Sequence, residues 1–237
     1  MSASLVHYIP IVTTILAVPF AVEIYRRYRA HPDRLHLLWW AIGIATYGVG
    51  TFTEATTTLV GWNEPTFRAW YISGALLGGA PLAQGTVYLL LGKRTAHLLT
   101  TILIAYVAVA SVFVVLSPID YSQVEAHRLT GRVLEWQWVR AFSPLVNLYA
   151  VVFLIGGAIL SALRYSADPS TRHRVYANVL IAFGAILPGI GGTATRMGYV
   201  EVLYVTELAG LILTWMGYRM SVRPVQGHRV SVSPATS

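Results

Sequence analysis

Two acidic side chains, Glu54 and Glu207, fall inside long apolar stretches of the chain. On insertion scales an ionised carboxylate at the centre of a bilayer costs ~2.5–3.5 kcal/mol unless it is paired or hydrated, so such groups point to sites. Glu54 lies about six residues from the outer end of its stretch and Glu207 about seven residues into its own. At ~1.5 Å of rise per residue, both sit roughly 10 Å below the outer surface. Arg196 follows Gly192-Thr193 at the spacing by which Glu54 follows Gly50-Thr51, and is expected to pair with Glu54 or Glu207. Two readings stand side by side. One is an outward-facing polar pocket whose carboxylates bind a cation, a proton or a polar solute. The other is a static ion pair that knits three helices together. Exchanging Glu54 for Gln separates them, because unchanged function with reduced stability belongs to the ion pair.

The other candidate ligand- or ion-binding residues are Gln84, Tyr71, Thr206, Asn147 and Asn178. Gln84, Asn147 and Asn178 can hydrogen-bond between helices, where each bond is typically worth under ~2 kcal/mol. Thr51, Thr53, Ser73 and Thr206 satisfy helix carbonyls or the charged cluster. No nucleophile–base constellation is legible, so no catalytic residue is assigned and the chain does not read as an enzyme. There is no cysteine, hence no thiolate site or disulfide. The histidines, His7, His31, His36, His97, His127, His173 and His228, fall at the ends of apolar stretches or between them. A bis-histidine haem inside the bundle is therefore not expected. His36 and His173 are read as caps of helix starts, and a metal site at His31, Asp33 and His36 is a minor alternative, so none is assigned. No cofactor is expected. The glycine-rich run near Gly192 lacks the strand and loop of a phosphate-binding fingerprint.

These residues must be positioned by membrane helices. Of 237 residues, 55% are hydrophobic and 11% charged, with a mean hydropathy of +0.58. Soluble domains carry roughly 25% charged residues, so this chain has too little charge to cover a water-facing surface. The composition reads as an all-α bundle of seven transmembrane helices, at 5–25, 36–60, 67–91, 96–116, 138–163, 174–196 and 200–219, in a cell membrane. A net charge of +7 and a pI near 9.8 do not imply nucleic acid here, because the basic residues sit in short loops between the spans. One set of loops holds twelve Lys and Arg (26, 27, 29, 34, 93, 94, 164, 172, 174, 219, 223, 229) and the other five (68, 128, 132, 140, 196). This bias places the N-terminus outside and the C-terminus in the cytoplasm. The first apolar run lacks a basic leader and a clean cleavage site, and reads as a retained helix rather than a signal peptide. Trp62, Trp70, Trp136 and Trp138 lie near outer ends, as interface anchors. Residues 117–137 form a long outer loop, and 221–237 read as a disordered cytoplasmic tail.

The first three spans match the last three in order. Tyr8-Ile9-Pro10-Ile11-Val12 parallels Phe142-Ser143-Pro144-Leu145-Val146. Ala30-His31-Pro32 with His36 parallels Ala167-Asp168-Pro169 with His173. Gly43, Gly48 and Gly50-Thr51 parallel Gly184, Gly189 and Gly191-Gly192-Thr193, and Tyr71-Ile72-Ser73 parallels Tyr204-Val205-Thr206. Three helices, a linker helix and three more make a 3+1+3 parallel repeat about an axis along the membrane normal. That layout resembles the seven-helix group of microbial rhodopsins and SWEET-type sugar transporters. Their functional motifs are missing. The only lysine, Lys93, lies in a loop, which rules out a covalent retinal pigment, and Pro10, Pro19 and Pro144 are each followed by an apolar residue rather than glutamine. The glycine pattern, with Arg140, Ser143, Pro144 and Asn147 opening the fifth span, also resembles an uncharacterised group of bacterial seven-helix membrane proteins, which carries no activity with it.

The sequence thus points to a multi-pass membrane protein, read first as a carrier of a small solute or ion. In that reading the halves rock around Glu54, Gln84, Arg196 and Glu207, with loop 117–137 as a lid. The alternatives are a seven-helix sensor or ligand-binding protein acting through a partner, and a non-catalytic accessory subunit bound to another membrane protein. The lipid bilayer is a partner in every case.

Overall fold

Lipid offers no hydrogen bonds to exposed amides, so apolar stretches of this length must close their backbone bonds internally, as helices. A computed structural model describes residues 5–165 and 172–222, except the side chains of Ala162, Arg164, Tyr165, Arg172 and Arg196. The expected tail beyond residue 222, and the Ala167-Asp168-Pro169 element of the repeat, lie outside the described residues.

A short turn at Leu5–Tyr8 leads into α1 (Ile9–Ala30), followed by α2 (Leu35–Val60), α3 (Glu64–Trp70), α4 (Ala80–Leu90), α5 (Lys93–Leu116), α6 (Phe142–Tyr165), α7 (Arg172–Arg196) and α8 (Val200–Ser221). Among the described residues six helical stretches are long and apolar enough to cross a membrane: Leu5–Ala30, Leu35–Val60, Lys93–Leu116, Gln137–Ser161, His173–Thr195 and Val200–Ser221. Their outer faces carry Val12, Ile15, Leu98, Ile102, Leu148 and Phe183, all exposed, as lipid-facing side chains would be. The architecture is all-helical and fits a multi-pass membrane protein.

The stretch expected as one span at 67–91 is instead broken. α3 runs into a π-helical turn at Tyr71–Leu76, the chain bends at Gly78, and α4 follows. The sequence points to Pro81 as the kink. Proline cannot donate to the carbonyl four residues back, which is that of Leu77. That carbonyl instead accepts from Ala80 N at 2.9 Å, and the bend itself falls on Gly78 at φ +44°. A Cβ there would also stand 2.9 Å from Asn147 Oδ1, so glycine is required both by conformation and by space.

The helices form a ring. α1 packs on α2, α2 on α4, α4 on α6, α6 on α7, α7 on α8, and α8 back on α1, while α5 stands outside against α4 and the π turn. Glycines set the closest approaches. A Cβ on Gly184 of α7 would lie 2.7 Å from the carbonyl oxygen of Gly210 on α8, and one on Gly50 would lie 3.5 Å from Gly74 Cα. On one side of the ring Phe20, Ile24, Leu37, Ile44, Leu211 and Tyr218 form a core, with Trp215 stacked on Phe20 at 5.3 Å.

The segment between α5 and α6 is a packed cap rather than a loose loop. Val133, Leu134 and Val139 are buried against Phe67, Trp70 and Tyr71. Asp120 N donates to Val133 O at 2.9 Å, Glu135 N to Pro118 O at 3.0 Å, and Trp62 N to Ala126 O at 2.9 Å.

Candidate functional site

α2 delivers Glu54 and α8 delivers Glu207 to the inside of the ring, with their carboxyl groups within hydrogen-bond reach of each other. Glu54 is buried, and its Oε1 accepts from the indole Nε1–H of Trp70 at 2.9 Å. The Oε2 atoms of both glutamates are buried and meet no N–H or O–H donor. Tyr47, two turns before Glu54 on α2, donates its hydroxyl to the backbone carbonyl of Glu207 at 2.8 Å, which ties α2 to α8 at this level.

The pair faces a cavity of about 590 Å³. Its walls come from α2, the π turn, α4, α6, α7 and α8, and Thr130, Gly131, Arg132 and Arg140 close in from the cap. The cavity runs inward from the cap past the two glutamates to the level of Ile44, Leu82 and Thr214. Its surface is chiefly hydrocarbon, and its polar groups include the carboxyl pair, Ser73, Asn147 and Thr214.

Of the eight candidates taken from sequence, Glu54, Glu207, Tyr71 and Asn147 line this cavity together. Gln84 does not. It is fully buried between α4, α5 and α6, where Nε2 donates to Ala96 O at 3.1 Å and Thr100 Oγ1 at 2.7 Å, and Oε1 accepts from the Tyr149 hydroxyl. Thr206 spends its hydroxyl on its own helix, donating to Val202 O at 2.7 Å and Leu203 O at 2.9 Å. Asn178 lines a separate cavity of about 190 Å³ with Trp40, Thr86 and Arg174. The side chain of Arg196 lies outside the described residues, and with it the expected pairing to Glu54 or Glu207.

Two other expectations are corrected. Trp70 is not an interface anchor but a buried donor to Glu54, because the π turn and its packed cap carry it inward. His36 does not cap α2, whose preceding residue is Arg34 with no side-chain cap. Its ring instead lies edge-on to Trp40 at 5.2 Å.

Sequence reasoning missed three features. Glu23 of α1 accepts from Trp215 Nε1 at 2.9 Å and from Arg219 Nη2 at 2.9 Å, and the Arg219 guanidinium sits 4.7 Å over the Trp215 ring. An acidic residue one helical turn before Arg26 and Arg27 was the available signal. Beside the cap, at the start of α3, Arg68 bonds Glu64 at 2.6 Å and Ser117 O at 3.0 Å, while the Tyr121 hydroxyl donates to Glu64 Oε2 at 3.0 Å. The Arg68 guanidinium, then the Tyr121 hydroxyl, hold the Glu64 carboxyl below the usual carboxylate range, and the bond to Glu64 pushes the Tyr121 hydroxyl up. The third is the Arg128 bridge from the cap, Nη2 to Thr195 O on α7 at 3.3 Å, for which the sequence held no signal. Among the described residues no cluster of three or more His, Cys, Asp or Glu is grouped to hold a metal ion.

Fold and site together define a helical membrane protein built around a central, mostly apolar cavity with a carboxyl pair in its wall. No protein-family model, curated protein or solved structure matches the chain.

Proposed function

We propose that this protein is a membrane carrier that takes a small solute into the central cavity, with Glu54 and Glu207 as the binding groups. The carboxyl pair facing the cavity with both Oε2 atoms unpartnered carries the reading. A buried polar atom left without a partner costs ~1–3 kcal/mol, and a static cluster would have evolved a donor for it. A group that must bind and release a ligand cannot be satisfied permanently from within.

The carrier is a seven-crossing protein with the broken stretch α3–α4 as its third crossing, N-terminus outside and C-terminus cytoplasmic. Its two halves, α1 to α4 and α6 to α8, are parallel repeats joined by α5, in the layout that resembles SWEET-type transporters. Packing supports this pairing. The first helix of each half meets the last helix of the other, α1 on α8 and α6 on α4. Equivalent glycines also serve equivalent contacts. Gly43 lies against Leu82 as Gly184 lies against Thr214, and Gly50 against Ser73 and Gly74 as Gly191 lies against Leu203 and Thr206. Smooth second-to-third-helix faces in both halves let each half move as a unit, and the break at Gly78 supplies a hinge beside the cavity. Alternating access then follows from rocking of the halves around the carboxyl pair.

Reconstitution in vesicles loaded with a pH indicator tests the reading. Solutes added outside one class at a time should drive a protein-dependent proton flux for at least one class, and Glu54→Gln should abolish it while the variant remains folded. Saturable ligand binding with no flux in any class would instead make the cavity the sensor site of a protein that signals through a partner.

A further inference from the structure

Resting on the carrier reading, we infer that the solute is a monovalent organic cation, an amine with an apolar body, and that it is exchanged for a proton held between Glu54 and Glu207. The inference comes from what the pair has and lacks. Among the described residues the ion pairs are Glu64–Arg68, Glu125–Arg128 and Glu23–Arg219, none of which includes Glu54 or Glu207. Facing the pair are the neutral donor Trp70 from α3 and the phenols Tyr47 from α2 and Tyr204 from α8. Arg132 and Arg140 stand at the outer end of the cavity, where Arg140 donates to Gln137 Oε1 at 2.7 Å.

Two adjacent carboxylates walled by hydrocarbon repel each other, and the empty pair resolves this by holding one proton between them. The site then carries a single negative charge, and one positive charge on the ligand can take the place of the proton without changing it. A hard metal ion is a poor occupant, since Ca²⁺ wants about six to eight oxygen ligands and Mg²⁺ about six. The pair has four carboxylate oxygens, one already taken by Trp70, and the surrounding wall is Ile44, Leu82, Leu154, Ile155 and Leu211. An ammonium group has three N–H donors, two of which can meet the unpartnered Oε2 atoms. Its apolar body fits the hydrocarbon wall, and the aromatic residues Tyr47, Trp70 and Tyr71 line the same cavity. At about 590 Å³ the cavity falls within the ~300–1,000 Å³ of sites for drug-sized molecules, far larger than a bare ion needs. Binding is an exchange. R–NH₃⁺ bonds to the two carboxylates, the shared proton leaves to the water on the open side, and the reverse step on the other side returns it. The carboxyl O–H bond breaks as the proton passes to water, and no bond within the amine changes.

The test uses the purified full-length protein in detergent, lightly buffered, with 2-phenylethylammonium as probe. Calorimetry with a pH indicator should record saturable binding and release of about one proton per amine bound. Glu207→Gln should weaken binding at least ~30-fold and abolish the release. The native protein supplies an independent arm should that variant fail to fold. A carbodiimide, which attacks protonated carboxyl groups in apolar surroundings, should label Glu54 or Glu207, and the amine should slow labelling while the neutral isostere 2-phenylethanol does not. Equal protection by the alcohol, binding without proton release, or no amine binding would each overturn the inference. The last result alongside uptake of a neutral or anionic solute by the reconstituted protein overturns the amine assignment alone. Amine binding with proton release but no flux overturns the carrier reading and leaves the site standing.

Discussion

Two buried polar clusters in this bundle differ in how completely their atoms are used. At Gln84 both ends of the amide are occupied, by Ala96 O, Thr100 Oγ1 and the Tyr149 hydroxyl, and the network continues from Thr100 to the Tyr88 hydroxyl at 3.0 Å. At Glu54 and Glu207, Trp70 supplies a single donor to one oxygen and two oxygens are left over. The first cluster joins three helices and lies outside the cavity lining. The second borders the central void. From sequence alone the two look alike, as polar residues in apolar helices. The difference is that a completed network is glue, whereas an incomplete one beside a cavity has capacity reserved for something that comes and goes.

The sharpest way to break that contrast is to finish the incomplete cluster. In Glu207→Gln an amide N–H faces the orphaned Glu54 Oε2, so vesicle flux should vanish while the melting temperature in detergent rises by ~2–4 °C, equivalent to about 1 kcal/mol at this chain length. A fall in melting temperature with flux retained would make the pair structural. Gln84→Leu should do the reverse. It leaves the Tyr149 hydroxyl without its acceptor and should cost ~2 kcal/mol of stability by thermal unfolding, with uptake per folded molecule unchanged. Trp70→Phe sits between the two. It keeps most of the ring packing but takes the one donor from Glu54, and should weaken amine binding several-fold at a stability cost of ~1 kcal/mol, read by calorimetry and thermal melts.

The smallest effect belongs to the more exposed counterpart beside the cap, Glu64 with Arg68 and Tyr121. Its carboxyl is held low in the folded protein, so its contribution is present above the ordinary carboxylate range and lost as pH falls through the folded value. Because the Glu64 side chain is 38% exposed, the effect on global stability is small. Acidification below ~pH 4 should loosen the cap. Emission from Trp62, whose ring meets Tyr121 edge-on at 6.0 Å, should change there. Tyr121→Phe should remove part of that pH response and leave uptake near neutral pH unaltered.

Much of the fold was legible because lipid imposes one-dimensional rules. Apolar length marks the crossings, and α1, α2, α5, α7 and α8 begin and end within a few residues of where those rules put them. The α3–α4 break was not legible, since a π turn and a left-handed glycine depend on what packs beside them: Gly50 against Gly74, Asn147 against Gly78. In the site, Glu54 and Glu207 stood out because charge in hydrocarbon is rare and costly. Gln84 was grouped with them for the same reason, although its partners, Ala96, Thr100 and Tyr149, lie on other helices.

What the amino-acid sequence determined by itself is the solvent this protein needs, its helical class and the two carboxyls worth following, because each depends on transfer energies that act residue by residue. Which polar atoms meet, which are orphaned and where the bundle stays hollow were decided only by tertiary structure. Those outcomes depend on distances between α2, α3, α6, α7 and α8, and a difference of one hydrogen bond between two buried clusters has no counterpart in composition or spacing.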